Sequence, residues 1–256
     1  MADYGNMDSR EDLLVEMMNL RAEFAFNHAI KGFGLDFDTA MELLRNHNDD
    51  LTQLEKDQRN VLLAALDNLV DFAVAQEFQM SEDVEDISEE FDPDDPEYLE
   101  ECYGVCERYN NTYANVENGD IEYALGIAAA WIRISGDTVL TYMTQGDERV
   151  RPWHLALEGL SYRKYEFPDW LIPPIEHACR CYLVEESTDI FNKADVQDVE
   201  AKKIIDMPDF VNPVFRESVA KGGRIFSSAH SYFKVLKKEK KRLQAIAQKI
   251  KDKWLK

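Results

Sequence analysis

Apolar residues recur at helical spacing through most of the first half of the chain. Over residues 11–31, Leu13, Leu14, Met17, Met18 and Ala25 share one helix face, and Gly32 and Gly34 are expected to stop the helix. A short helix is predicted after Asp38, carrying Met41, Leu43 and Leu44. Asp50 followed by Gln53 reads as a capped start. Residues 51–76 then give the longest helical pattern, with Leu62, Leu66, Leu69 and Ala73 as its seam. Two more helices are expected, over 97–116 and 120–134.

The rhythm changes at Gly136-Asp137. Residues 138–144 (TVLTYMT) are β-branched and aromatic, which predicts a strand. A polar turn, Gln145-Gly146-Asp147, leads to a short helix near 152–157 that Gly159 ends. Residues 160–165 and 180–185 read as further strands, with an irregular, proline-rich stretch over 167–174 between them. The fold class is therefore α+β: a helical N-terminal half, a small antiparallel-sheet unit in the middle and a C-terminal helix. The expected organisation is a helical region 1–80, an acidic loop 81–101, an α+β unit 102–185, an extension 186–233 and a basic helix 234–256.

Charge sharpens this division. The 256 residues carry 50 Asp and Glu against 29 Lys and Arg, a net charge of −21. A body this acidic is a poor non-specific binder of nucleic acid or anionic membrane. Twelve of the acids lie within residues 82–101, where Pro93 and Pro96 favour a solvated loop. From Lys234 onward the balance reverses: ten Lys or Arg residues face two acids, a net of +8. In that segment Leu236, Leu243, Ile246, Ala247, Ile250 and Trp254 form one apolar stripe. A basic amphipathic helix either packs on its own domain or docks on a partner protein, an anionic polymer or a lipid surface. The residues expected to engage a partner are Lys237, Lys238, Lys240, Lys241, Arg242, Leu243, Ile246 and Ile250. The longest apolar run, over 125–132, is too short to span a bilayer, and the polar, acidic start MADYGNMDSRED is unlike a secretory leader. With four cysteines, a disulfide framework is not expected, and Cys102 and Cys106 read as buried, inert thiols. His28 and His47 read as surface or core fillers rather than ligands.

Three polar clusters stand out. The first is Asp147-Glu-Arg149-Val-Arg151-Pro-Trp-His154, followed by Leu157-Glu158-Gly159. The second is Pro173-Pro174-Ile-Glu-His177-Ala-Cys179-Arg180-Cys181. The third joins Phe210-Val-Asn-Pro213 with the segment from Ile225 to Phe233 that contains His230. In this order they resemble the phage Mu F-like family of minor head (head morphogenesis) proteins. That family's signature runs D-x-R-V-R-x-x-H-x-x-L-(D/E)-G, then P-P-x-x-H-x-C-R-C, often followed by F-x-x-N-P. The resemblance covers roughly residues 110–185 and says little about the first hundred. It implies a structural virion protein of a tailed phage or prophage, associated with the portal or procapsid interior. The implied partners are portal or major capsid protein, with packaged DNA as a second target for the basic helix. The implied location is the virion, and the host cytoplasm during assembly.

The same residues have chemistry of their own. On a strand, Cys179 and Cys181 point to one face and Arg180 to the other. His154 and His177 complete a tetrahedral donor set with the two thiolates, one that suits zinc. Many relatives carry Cys-x-x-Cys at the positions of Arg151 and His154, so this chain keeps one ligand of that pair and replaces the other with a cation. The alternative is a packed Cys and His knot without metal. Asp147, Arg149, Arg151, Glu158, Gly159 and Arg180 read as fold-locking residues: Asp147 is expected to pair with Arg149 or Arg151 at the turn into the short helix, and Arg180 with Asp147 or Glu158. No nucleophile elbow, phosphate-cradling loop or HExxH occurs, and no residue is assigned a catalytic role. The competing reading is a metal- or His-dependent nuclease or toxin-type enzyme drawing on Asp147, His154, Glu158, His177 and His230.

Overall fold

A computed structural model describes residues 7–46, 50–90, 95–186, 206–235 and 237–256. His47 and Leu236 lie outside these residues, as do the side chains of Lys237 and Lys238. The architecture is α+β, as the sequence pattern indicates. Helices α1 (Met7–Phe33), α2 (Phe37–Arg45), α3 (Gln53–Glu90), α4 (Pro96–Glu107) and α5 (Ala114–Trp131) build the first half. Strands β1 (Val139–Met143), β2 (Ser161–Arg163) and β3 (Tyr182–Glu185), with the short helix α6 (Pro152–Leu155), form the middle unit. Helix α7 (Lys237–Trp254) closes the described chain.

Helix α1 continues through Gly32 to Phe33, and Gly34, at φ 80°, makes the turn. Gly32 has a different use from the expected stop. A Cβ there would sit 2.1 Å from the Glu122 carbonyl oxygen, so its missing side chain lets α1 and α5 meet backbone to backbone. Helix α3 starts on a capping box. Glu55 Oε2 accepts from the Thr52 N–H at 2.7 Å, and the Glu55 N–H donates to Thr52 Oγ1 at 3.3 Å. Thr52 therefore takes the capping role expected of Asp50.

The acidic stretch is not mainly a loop. Helix α3 runs to Glu90, because Met80 is buried and Val84 and Ile87 pack against the core, carrying the apolar seam past the first acids. Pro96 then occupies the first turn of α4, where proline costs no helical hydrogen bond. Helices α4 and α5 are joined by a π-helical segment, Arg108–Tyr113, rather than broken near Gly119.

The sheet order is β2-β1-β3, antiparallel throughout, with Leu140 opposite Tyr162 and Tyr142 opposite Leu183. One apolar core runs from α1 through the sheet to α7. One buried side chain of α3 holds the backbone of the segment near Ile225. Asn68 Oδ1 accepts from the Ile225 and Phe226 N–H groups at 2.8 and 3.0 Å, and its Nδ2 donates to the Phe226 carbonyl at 3.0 Å.

Helix α7 packs inward, which corrects the expected partner role of Leu243, Ile246 and Ile250. These three are buried with Ala247 and Trp254 against the helical half. The reason is electrostatic as well as apolar. Lys251 Nζ reaches Asp67 and Asp71 of α3 at 2.6 and 2.7 Å, and Arg242 Nε pairs with Glu11 of α1 at 3.3 Å. Trp254 Nε1 donates to Asn19 Oδ1 at 3.1 Å. Lys240, Lys241 and Arg242 remain exposed on the outer face.

Candidate metal centre

The α+β unit brings the two halves of the polar motif together. Pro152 opens α6 with Arg151 as its N-cap, and one turn later His154 points inward and is buried. The backbone entering β3 alternates its side chains, so Cys179 and Cys181 are buried while Arg180 turns outward to Asp147. His154 Nδ1 lies 3.2 Å from Cys181 Sγ. One donor atom from each of His154, Cys179 and Cys181 lies within 4.8 Å of the other two. Donors around tetrahedral zinc stand roughly 3.5–3.8 Å apart, so a small inward movement closes the set.

Two observations test the fit of a metal. His154 Nε2 is buried without a hydrogen-bond partner, an expense for a structure with no use for it. A void of about 20 Å³ touches His154, Cys181 and Arg151, room for one water-sized ligand. The thiols are also unequal. The hydrogen bond from Cys179, helped by Tyr142 and the Arg151 and Arg180 charges, pulls the Cys181 thiol down to about 7 against the effect of burial. The hydrogen bond with Cys181, followed by burial, pushes Cys179 well above its ordinary value. Cys181 is thus the ready thiolate, and a cation at the cluster would favour the second.

His177 is not part of this cluster. Its Nδ1 lies 2.8 Å from Asp120 Oδ2, and the next residue, Ala178, donates its N–H to Asp120 Oδ1 at 2.7 Å. Ala178 adopts φ 54°, a left-handed turn that swings His177 away from Cys179 and toward α5. One carboxylate thus holds both groups and corrects the four-ligand set to three.

Among the residues read as fold-locking, the side chain that pairs with Asp147 is Arg180, not Arg149 or Arg151 as expected. Arg180 grips Asp147 through two hydrogen bonds, 2.8 and 2.7 Å, rather than Glu158. Glu158 instead accepts from the Thr144 hydroxyl. Arg149 contributes its backbone N–H to Asp147 Oδ1 at 3.1 Å, and Arg151 Nη2 donates to the His177 carbonyl at 2.8 Å. Gly159 takes φ 82° and donates its N–H to the Tyr142 carbonyl, bringing the chain from α6 into β2. Cys102 and Cys106 are unbridged and half-buried, less enclosed than expected.

A second polar cluster adjoins the first. Glu117 and Asp120 are buried on α5, where Glu117 accepts from Tyr232 Oη at 2.8 Å and from Gln76 Nε2 at 2.6 Å. Glu117, His177, His230 and Tyr109 border a groove of about 600 Å³, and Asp120 holds His177 from outside that wall. Burial, reinforced by the His177 charge, lowers His230 to about 4. Sequence reading missed Glu117 and Asp120. Their register with Ile121, Ala124 and Ala128 on one α5 face was the available sign, since carboxylates on an apolar stripe are inward-facing.

No family model matches the chain. It is 45% identical over 51 residues to an uncharacterized protein of Methanocaldococcus jannaschii, a stretch that is 20% of this chain and 8% of that protein. This chain therefore aligns with under a tenth of that relative's length. No solved structure matches.

Proposed function

We propose that this chain is a structural head protein of the Mu F-like kind, a non-catalytic component of a tailed phage or prophage particle at the portal or procapsid interior. The observation that carries the reading is the interlock of the two motif halves. Asp147, Arg151 and His154 from the first each meet a residue of the second: Arg180, the His177 carbonyl and Cys181. The order and spacing that carry the resemblance correspond to one folded unit, as expected if the motif specifies a scaffold rather than a reaction centre.

Zinc is the metal this site would take, held by His154, Cys179 and Cys181 with a water-sized fourth ligand. Two thiolates and an imidazole match its preferences. It would supply cross-linking between α6 and the start of β3, two elements joined through the buried His154 and Cys181. Portal or major capsid protein is the proposed partner in assembly. The outward lysine face of α7 is the surface left for salt-sensitive contact with packaged DNA.

Co-expression with the portal and major capsid proteins of a tailed phage tests the reading. The expected result is co-sedimentation with procapsids, measured by mass spectrometry, and its loss in Asp147→Ala paired with Arg180→Ala. Particles assembled without the chain, or cleavage of linear DNA by the purified protein with divalent metal, would overturn it.

A further inference from the structure

Helix α1 buries two of its faces and leaves a third apolar. Leu13, Met17, Leu20 and Phe24 recur at intervals of four, three and four, yet all are exposed, Phe24 at 68%. That spacing is a coiled-coil seam without a partner. Single exposed apolar residues need no explanation, but four in register over three turns do.

The seam borders a groove of about 360 Å³ between α1, α3 and the start of α5, with Met17, Leu20 and Phe24 along one wall. Two buried carboxylates, Glu77 and Glu117, line it with one guanidinium, that of Arg21. Arg21 Nε donates to Glu77 Oε2 at 2.6 Å, while Glu77 Oε1 is buried with no partner. An orphaned carboxylate oxygen in such a place asks for a donor, and a cationic one satisfies it best.

The flanks point the same way. Glu16 and Glu23 sit beside the seam, exposed, and form no ion pair among the described residues. A second copy of this chain would set these glutamates against each other in an antiparallel pairing, and two bodies of −21 would meet. The molecule also displays the favoured chemistry on its neighbouring surface, where basic α7 lies on α1 and α3 through Arg242–Glu11 and Lys251–Asp67 pairs.

We propose that the α1 seam and its groove form a docking site for an amphipathic helix of a partner protein, apolar at heptad spacing and flanked by Lys or Arg. The partner's apolar knobs cover Leu13, Met17, Leu20 and Phe24; its cations meet Glu16 and Glu23, and one reaches Glu77. This surface is independent of the head-protein reading, because it lies on the helical half and uses none of the motif residues.

Two synthetic peptides of about twenty residues, long enough to hold a helix, provide the test. Both carry leucine at heptad positions; one is flanked by lysine and the other by glutamate. Binding to the full chain is followed by fluorescence anisotropy at physiological salt. The lysine peptide is expected to bind one to one. Leu20→Asp and Phe24→Asp, both at exposed positions that tolerate change, are expected to weaken it by about tenfold or more. Glu77→Gln is expected to weaken it less, while Leu155→Asp and Tyr165→Asp, exposed apolar sites elsewhere, leave it unchanged. Equal binding of the glutamate peptide, no binding of the lysine peptide, or indifference to Phe24→Asp would overturn the site. So would a wild-type dimer, in sedimentation, that Phe24→Asp dissolves.

Discussion

The Asp120 carboxylate faces the His177 ring at 2.8 Å while its other oxygen takes the N–H of Ala178, so one buried acid on α5 fixes both the direction of the imidazole and the turn after it. Burial alone would keep His177 neutral, but the Asp120 bond and charge, with Glu176 and Glu117, outweigh it and raise the ring's pKa. A raised folded-state value means the stabilisation is fully present below the ring's ordinary value near 6.5 and fades as pH climbs through the folded value. Asp120→Asn should therefore cost most stability near pH 6 and less toward pH 9. Thermal melts across that range, with an NMR titration of the His177 ring, check this; a deficit that grows with pH contradicts it.

Zinc stoichiometry separates the three-donor cluster from the four-donor set that the motif suggested. Protein purified without chelator is expected to carry close to one zinc per chain by elemental analysis. Cys179→Ser and Cys181→Ser should lose it and lower the melting temperature, because structural zinc contributes directly to folding. His177→Ala should keep it. Metal-free protein whose melting is unmoved by chelator would leave a packed thiol knot as the better account.

Glycines of α1 and α5 should respond in opposite directions to the same substitution. Gly32→Ala puts a methyl group against the Glu122 backbone, and overpacking of that kind costs about 1–3 kcal/mol. Gly119→Ala meets nothing within 4 Å and sits inside a helix, so it should stabilise by about 0.5–1 kcal/mol. Denaturant midpoints of the two variants measure the contrast.

Helix α7 should behave as core. Ile250→Ala is expected to cost about 2–5 kcal/mol, the range for removing a large buried aliphatic side chain. Deletion from Lys234 onward uncovers the α3 face beneath Leu243, Ile246 and Ile250 and should give a poorly folded chain. A truncated protein with unchanged melting would show that the helix is only a cover.

Periodicity made most of the helices and all three strands legible, because their apolar positions answer to local geometry. It misjudged what depends on a neighbour. Gly32 reads as a stop until α5 is laid against it, and the acids of residues 82–90 read as loop until Met80, Val84 and Ile87 are given a core to face. The donor set was three-quarters legible for the same reason. Cys179, Cys181 and His154 follow from strand alternation and a one-turn helix, whereas the fate of His177 was decided by Asp120, 57 residues away on another element. The basic stripe of α7 showed an amphipathic helix but not which acidic surface it would choose, and the chain's own lay within reach.

The bond from Trp254 to Asn19 joins residues 235 apart, and it has a bearing on how the chain reaches its final form. Closing so long a loop gives up chain entropy before any contact rewards it, so the pairing belongs to a late step of folding. The local helices can gather first, with the seat for Ile250 and Trp254 left open. In that interval the apolar floor of the seat and the acids at its edge face solvent together, and another molecule's basic helix competes for the place. The time α7 takes to arrive then sets the window in which the chain is prone to exchange that helix with a neighbour.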